Sequence, residues 1–252
     1  MGKILELSSI SAGYDSDIIL SNVNLQVFEQ DFIGVIGPNG GGKTTLLRVI
    51  LGLIKPFSGT IKYFDNGIVQ NKLTIGYLPQ INSFDARFPI SVIDVVVSGL
   101  MSKRKLLFPY QKSDYQKAED LLELTGIKHL KNKPIGELSG GQKQRVFLCR
   151  AIISSPSVLI LDEPDSYVDS NFEHELYEIL ADLNKTMAII LVSHDVGIIS
   201  SLVKTIACVN RNLHYHPSNK ITDEILKGYN CPIELITHGK VPHRVLPTHD
   251  AN

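Results

Sequence analysis

Gly37-Pro38-Asn39-Gly40-Gly41-Gly42-Lys43-Thr44 is the stretch on which the reading of this chain turns. A glycine, four residues and then Gly-Lys-Thr is the pattern of a loop that wraps phosphate. Glycines allow consecutive backbone N–H groups to curl around an anion, and a helix N-terminus adds the positive end of its dipole. The flanks agree. Phe32 to Ile36 is a short apolar run that stops at a glycine, and Lys43 to Leu53 has helical patterning, so the order is strand, loop, helix. In that setting Lys43 is placed to reach the β- and γ-phosphates of ATP. Thr44 is placed to offer a hydroxyl to Mg²⁺. A glycine-rich turn carrying an incidental lysine would not require this strand-to-helix context.

Outward from the loop the same alternation continues. Ile4 to Leu7 and Leu25 to Phe28 pattern as strands, and Ser113 to Leu124 is rich in helix formers. Gly141 to Ile153 reads as a helix, Val158 to Leu161 as a wholly buried strand, Asn171 to Asn184 as a helix and Met187 to Val192 as another buried strand. These observations predict an α/β fold of the P-loop type: a mostly parallel sheet covered by helices, an antiparallel portion near the N-terminus, and a helical subdomain in the middle. The expected division is one domain over residues 1–220, with the helical subdomain inserted at about 85–155, and a tail over 221–252.

Val158-Leu159-Ile160-Leu161-Asp162-Glu163-Pro164 is an apolar strand that ends in two acids. Strand alternation would send those acids to opposite sides unless the chain turns, and Pro164 is expected to enforce a turn. Asp162 then suits holding Mg²⁺, and Glu163 suits orienting or deprotonating an attacking water. Two acids at a strand end are often only solvated; beside a phosphate loop they form a set.

Leu138-Ser139-Gly140-Gly141-Gln142 stands just ahead of that strand. A serine and two glycines opening a helix make a second anion cradle. The pentapeptide is identical to the signature of the ABC-type ATPases, and in sequence order the chain resembles that family from about Leu5 to Val209. The resemblance implies a head-to-tail homodimer in which Ser139, Gly140, Gly141 and Gln142 of one subunit close over ATP held at Gly37 to Thr45 of the other. It also implies that Tyr14 stacks on adenine and that Gln80, in Tyr77-Leu78-Pro79-Gln80, senses Mg²⁺ and contacts the coupling region. Asp169 would cross the dimer interface, and His194, in Ser193-His194-Asp195, would contact the γ-phosphate. Two positions depart from the family pattern. Gly41 stands where Ala or Ser is frequent, which a glycine-tolerant loop should accept. Tyr167-Val168 stands where many members have Ala-Leu.

Chromosome- and repair-associated relatives of such ATPases split their halves with long coiled coils, whereas residues 81–137 number only 57. Translation-associated members carry two cassettes, and this sequence has one set of motifs. Transport is the leading expectation, with a nucleotide-gated regulatory protein as the reading from a different class. Arg87 to Val96 and the run from Cys231 to Leu246 resemble the ATPase subunits of zinc and manganese importers. An importer of chelated iron or another small solute is the alternative. The first stretch also mixes apolar and basic residues just after Gln80, as a face receiving a membrane partner would; otherwise it is a plain core segment. The expected partners are a multi-pass permease and, through it, a substrate-binding protein.

Bulk properties are compatible with this. With 43% hydrophobic and 20% charged residues the chain can bury a large core. A formal net charge of −1 gives no electrostatic reason to bind nucleic acid. The apolar runs, such as Met187 to Val192, fall far short of the roughly 20 residues of a membrane-spanning helix. A cytoplasmic chain is therefore expected, and the family resemblance implies that it is peripheral on the inner face of the membrane. Cys149, Cys208 and Cys231 lack metal-ligand spacing and read as free thiols. His238, His243 and His249 near Cys231 invite a metal site, but spacings of five and six residues match no common zinc pattern, so solvated histidines are the expectation.

Overall fold

The computed structural model describes residues 1–80, 89–103, 109–164, 170–193, 199 and 201–219. His194, Asp169, Arg87, Phe88, the Tyr167-Val168 departure and the whole tail from Cys231 onward lie outside the described residues. Among those described, the strands form two sheets. The first is antiparallel: β1 (Lys3–Tyr14) and β2 (Asp17–Phe28) form a hairpin, with β4 (Ser58–Asp65) and β5 (Ile68–Gln70) continuing in the order β2-β1-β4-β5. The second sheet runs β10-β9-β3-β8-β7-β6, from β3 (Phe32–Ile36), β6 (Ile75–Leu78), β7 (Val158–Asp162), β8 (Ala188–Val192), β9 (Thr205–Asn210) and β10 (Asn212–His216). It is parallel except where β10 returns antiparallel to β9.

Every residue of β3, β7 and β8 is buried. Such uniform burial is the mark of parallel strands covered on both faces, and it explains why those segments lack alternation in the sequence. One core lies between the two sheets and includes Leu5, Leu20, Ile33, Leu47 and Ile160. A second lies on the other face of the parallel sheet, with Leu159, Leu161, Leu176 and Leu191.

Among the described residues the α-helices that flank the sheets and build the helical subdomain include α1 (Lys43–Ile50), α2 (Val92–Val97), α3 (Lys112–Leu124), α4 (Gly140–Ile152) and α5 (Ser170–Leu183). Helix α1 is shorter than its sequence pattern, because the N–H groups of Leu53 and Ile54 both turn back to the Arg48 carbonyl and Gly52 takes φ +70°. The α2, α3 and α4 segments enclose a third core of Val92, Val96, Leu122, Ile135 and Val146. The valines of the Arg87 to Val96 stretch are thus core residues; among its described residues, 89–96, Pro89 and Asp94 are the exposed ones, and Met101 is exposed beyond it. No helix among the described residues is long and apolar enough to cross a membrane. Cys149 and Cys208 are buried thiols outside any disulfide. Burial pushes the Cys149 thiol up to about 12, so it is an inert packing group beside Thr125.

Candidate functional site: a phosphate loop facing two acids

β3, β6 and β7 belong to one sheet in the order β3-β8-β7-β6, all parallel, so their C-terminal ends deliver the candidate residues to one edge. This is where ligands bind in open α/β sheets. The phosphate loop leaves β3 and enters α1. Gly37 holds φ +154° with the Val209 carbonyl so close that a Cβ there would sit 2.0 Å from its oxygen. Gly42 takes φ +104° as the residue capping α1, a region closed to most side chains. At Gly41 a Cβ would come within 2.8 Å of the same Val209 oxygen, so glycine suits this particular loop. The β9-β10 turn braces the loop from outside: the Arg211 N–H donates to the Gly41 carbonyl at 3.0 Å.

Lys43 is buried, and its Nζ donates to the Gly37 and Pro38 carbonyls at 3.0 and 3.1 Å. The ammonium thus stays inside the arc of its own loop. Thr44 and Arg48, four residues apart and so on one face of α1, are exposed, while Thr45 is buried beneath. Tyr14, the last residue of β1, keeps 41% of its surface exposed. Its hydroxyl accepts from Arg48 Nη1 at 2.7 Å, with the guanidinium 5.8 Å from the ring centre.

Asp162 ends β7 and is buried. Burial, with the like charge of Glu163 beside it, raises its carboxyl above the ordinary value, while the Tyr77 hydroxyl, Lys43 and Arg48 pull in the other direction. Tyr77 donates to Asp162 Oδ2 at 3.4 Å; burial first and that carboxylate second push the phenol up to about 12, so it remains a donor. The turn that separates the two acids is made by Glu163 itself, at φ +50°, with its N–H held by the Val192 carbonyl at 2.9 Å. Left-handed backbone at a glutamate is strained. Pro164 was expected to enforce the turn; it follows one that already starts at Glu163. Across the gap between β7 and β6, Gln80 Nε2 donates to Glu163 Oε2 at 2.6 Å.

Ser139 caps α4: its hydroxyl accepts from the Gln142 N–H at 3.3 Å, and Gln142 Oε1 accepts from the Ser139 N–H at 3.1 Å. That reciprocal box fixes the start of the helix. The Gly140 and Gly141 N–H groups lie in the first turn, where a helix supplies them no internal acceptor. Ser139 and Gly140 are exposed.

The structure therefore brings together Tyr14, the loop from Gly37 to Thr45, Gln80, Asp162 and Glu163, and presents Ser139 to Gln142 on a separate helix start. Tyr77 and Arg48 were not foreseen as members. Tyr77 stood in the quoted Tyr77-Leu78-Pro79-Gln80 run, but nothing in a strand sequence tells which neighbouring strand its hydroxyl meets. Arg48 had no signal beyond its spacing of four from Thr44.

A strand-loop-helix that cradles phosphate, two acids at the end of a parallel strand two places along the same sheet and a capped anion cradle together define a P-loop ATPase of the cassette type. Residues 20–166 match the family model described as ABC transporter. The chain is 40% identical to a probable metal transport system ATP-binding protein of Thermotoga maritima, covering 94% of each. It is 39% identical to the zinc uptake system ATP-binding protein ZurA of Listeria innocua, covering 86% of this chain and 87% of that one. Among solved structures it superposes on an inward-facing metal-chelate type ABC transporter with a TM-score of 0.83 at 26% identity, covering 97% of both chains. A post-hydrolysis ATP-binding cassette dimer bound to ADP and phosphate matches with a TM-score of 0.73 at 24% identity, over 87% of this chain and all of that one, a likeness of fold. This protein belongs to the ABC transporter family, as an ATP-binding subunit that hydrolyses ATP.

Proposed function

We propose that the chain energises the import of a divalent metal ion, zinc or manganese, through a separate multi-pass permease supplied by a substrate-binding protein. The observation that carries the cargo is the 40% identity, sustained over 94% of the chain, with a metal transport system ATP-binding protein. The chain would sit at the inner face of the membrane, attached to the permease, and work as a homodimer.

In this reading the nucleotide lies across the loop from Gly37 to Thr45, with its base against Tyr14 and its phosphates toward Lys43. Oxygen donors suit a hard cation such as Mg²⁺, and the Thr44 hydroxyl, the Asp162 carboxylate and the Gln80 amide oxygen form such a set. A Mg²⁺ ion held there would supply positive charge against the phosphates. Glu163 takes the proton of the attacking water or orients it, and its strained backbone holds the carboxylate at the edge of the site. Lys43 offsets negative charge on the γ-phosphate, and Ser139, Gly140, Gly141 and Gln142 from the partner subunit add donors on the opposite side. Asp169 and His194 keep the roles that the family resemblance gives them, at the subunit interface and at the γ-phosphate.

The test is uptake of labelled zinc and manganese by the native cells, with wild-type protein or with Lys43→Ala in its place. Loss of uptake of one metal supports both transport and cargo. Normal entry of both metals, with the variant's ATPase activity gone, overturns the zinc and manganese assignment. Chelated metal would then be tested, because the metal-chelate type transporter is also similar over 97% of the chain.

A further inference from the structure

We propose that Arg48 is a positioning residue for nucleotide recognition: it ties the Tyr14 ring to the helix that begins at the phosphate loop, and so sets the span between base and phosphates. The proposal rests on the reading of Tyr14 as the adenine-stacking residue.

Tyr14 ends β1 and, at 41% exposure, is not fixed by packing alone. Such a side chain samples several rotamers, and ordering it on ligand binding costs free energy. Arg48 restricts that freedom. Its Nη1 donates to the Tyr14 hydroxyl at 2.7 Å, between residues 34 positions apart in sequence. The guanidinium carbon lies 5.8 Å from the ring centroid. The hydrogen bond engages the hydroxyl edge, so the ring is steered by its tip.

The anchor itself is stiff. Arg48 projects from α1, whose Leu46, Leu47, Val49 and Ile50 are all buried. It lies one helical turn after Thr44, on the same exposed face. Its carbonyl accepts from both Leu53 and Ile54, which locks the helix end that carries it. One rigid helix therefore presents Lys43 and Thr44 at its start and holds the aromatic residue through Arg48 near its finish. A planar guanidinium with fixed donors suits this better than a flexible ammonium.

Arg48 also reaches the acids electrostatically, since its charge acts on both Asp162 and Tyr77. That supplies a rival role, charge support at the phosphates, which the experiment must separate from the tether.

Binding of MgATP and of magnesium tripolyphosphate, which lacks a base, is measured by calorimetry on the full chain. The variants are Tyr14→Phe, Arg48→Met, Arg48→Lys, the Tyr14→Phe/Arg48→Met double and Tyr14→Ala. Thermal unfolding of each confirms that it is folded. Tyr14→Phe and Arg48→Met should each weaken MgATP by about 3- to 10-fold, the size of one net hydrogen bond. The double variant should be no weaker than either single one, Arg48→Lys should recover part of the loss, and tripolyphosphate binding should stay unchanged throughout. In turnover, KM should rise with kcat nearly constant.

If Arg48→Met weakens tripolyphosphate as much as MgATP, Arg48 acts through charge and the proposal falls. It also falls if Tyr14→Phe binds MgATP like wild type while Tyr14→Ala does not. Wild-type affinity in Tyr14→Ala would instead overturn the adenine-stacking reading on which the proposal stands.

Discussion

Gln80 Nε2 donates to Glu163 Oε2 at 2.6 Å, joining a residue two past the end of β6 to the acid just past β7, across adjacent strands of the parallel sheet. That amide N–H fixes the direction of the Glu163 carboxylate. Such an arrangement suits a base that must still accept a proton. Glu163→Gln preserves the shape of the side chain and removes the basic oxygen. The variant should bind ATP with wild-type affinity, lose about 10²- to 10⁴-fold in turnover, and accumulate ATP-dependent dimer. Phosphate release together with size-exclusion chromatography checks this. Unchanged steady-state hydrolysis would remove Glu163 from the role.

Asp162 shows the opposite balance, function held at the expense of stability. Its carboxyl is raised by burial and by Glu163, so at neutral pH the folded protein carries a charge that it would hold more easily protonated. A raised folded value means a contribution that is favourable below the unfolded value of 3.8 and is lost as pH rises through the folded one. Asp162→Asn removes the charge and keeps an oxygen for the Tyr77 hydroxyl. The nucleotide-free variant should melt higher at neutral pH, by about 2–4 °C for each kcal/mol relieved. The gain should shrink on acidification, as the wild-type carboxyl takes up its own proton. Magnesium-dependent strengthening of ATP binding should be lost in the same variant. A lower melting temperature at neutral pH would mean that the carboxylate is stabilised by its surroundings after all.

The start of α4 separates a structural role from a catalytic one. Ser139 and Gln142 cap each other, and losing a serine cap costs a helix about 1 kcal/mol. Ser139→Ala should therefore lower the melting temperature by only about 2–4 °C. If Ser139 also closes over the partner's nucleotide, its loss should matter far more to assembly. In the Glu163→Gln background it should abolish ATP-dependent dimer while each monomer still binds ATP. A double variant that dimerises as readily as Glu163→Gln alone would leave Ser139 a cap and nothing more.

The parts of this site that could be read beforehand were those encoded contiguously. The phosphate loop needs its glycines in one run, because Gly37 meets the Val209 carbonyl and Gly42 must turn left-handed into α1. The strand of Asp162 announces itself because both its faces are buried. The shortest strands and edge hairpins were less legible: three-residue β5 is exposed at every position, so Ile68 and Val69 carry no burial pattern. Relations between strands were not legible at all. That Tyr77 meets Asp162, and that Gln80 meets Glu163, follows from β6 lying beside β7 in parallel register, with Tyr77 opposite Ile160. No local pattern in either segment specifies that neighbour. Arg48 and Tyr14 are likewise joined only by the way α1 lies beneath the first hairpin.

Two glycines of the loop should behave differently under the same substitution. At Gly40 an added Cβ meets nothing within 4 Å, so the only penalty of Gly40→Ala is its backbone angle of +76°. Left-handed backbone costs an ordinary residue about 1–2 kcal/mol, so this variant should fold, bind ATP, and melt a few degrees lower. At Gly37 the same methyl would sit 2.0 Å from the Val209 carbonyl oxygen, which belongs to β9, and φ is +154°. Backbone cannot retreat there without moving β9 away from β3, its hydrogen-bonded neighbour. Gly37→Ala should therefore displace the loop, melt well below Gly40→Ala, and bind neither ATP nor tripolyphosphate measurably. Thermal unfolding and calorimetry on the pair decide the matter. Equal stability and equal affinity in the two variants would mean that the loop can take up the methyl by a shift that this close packing denies.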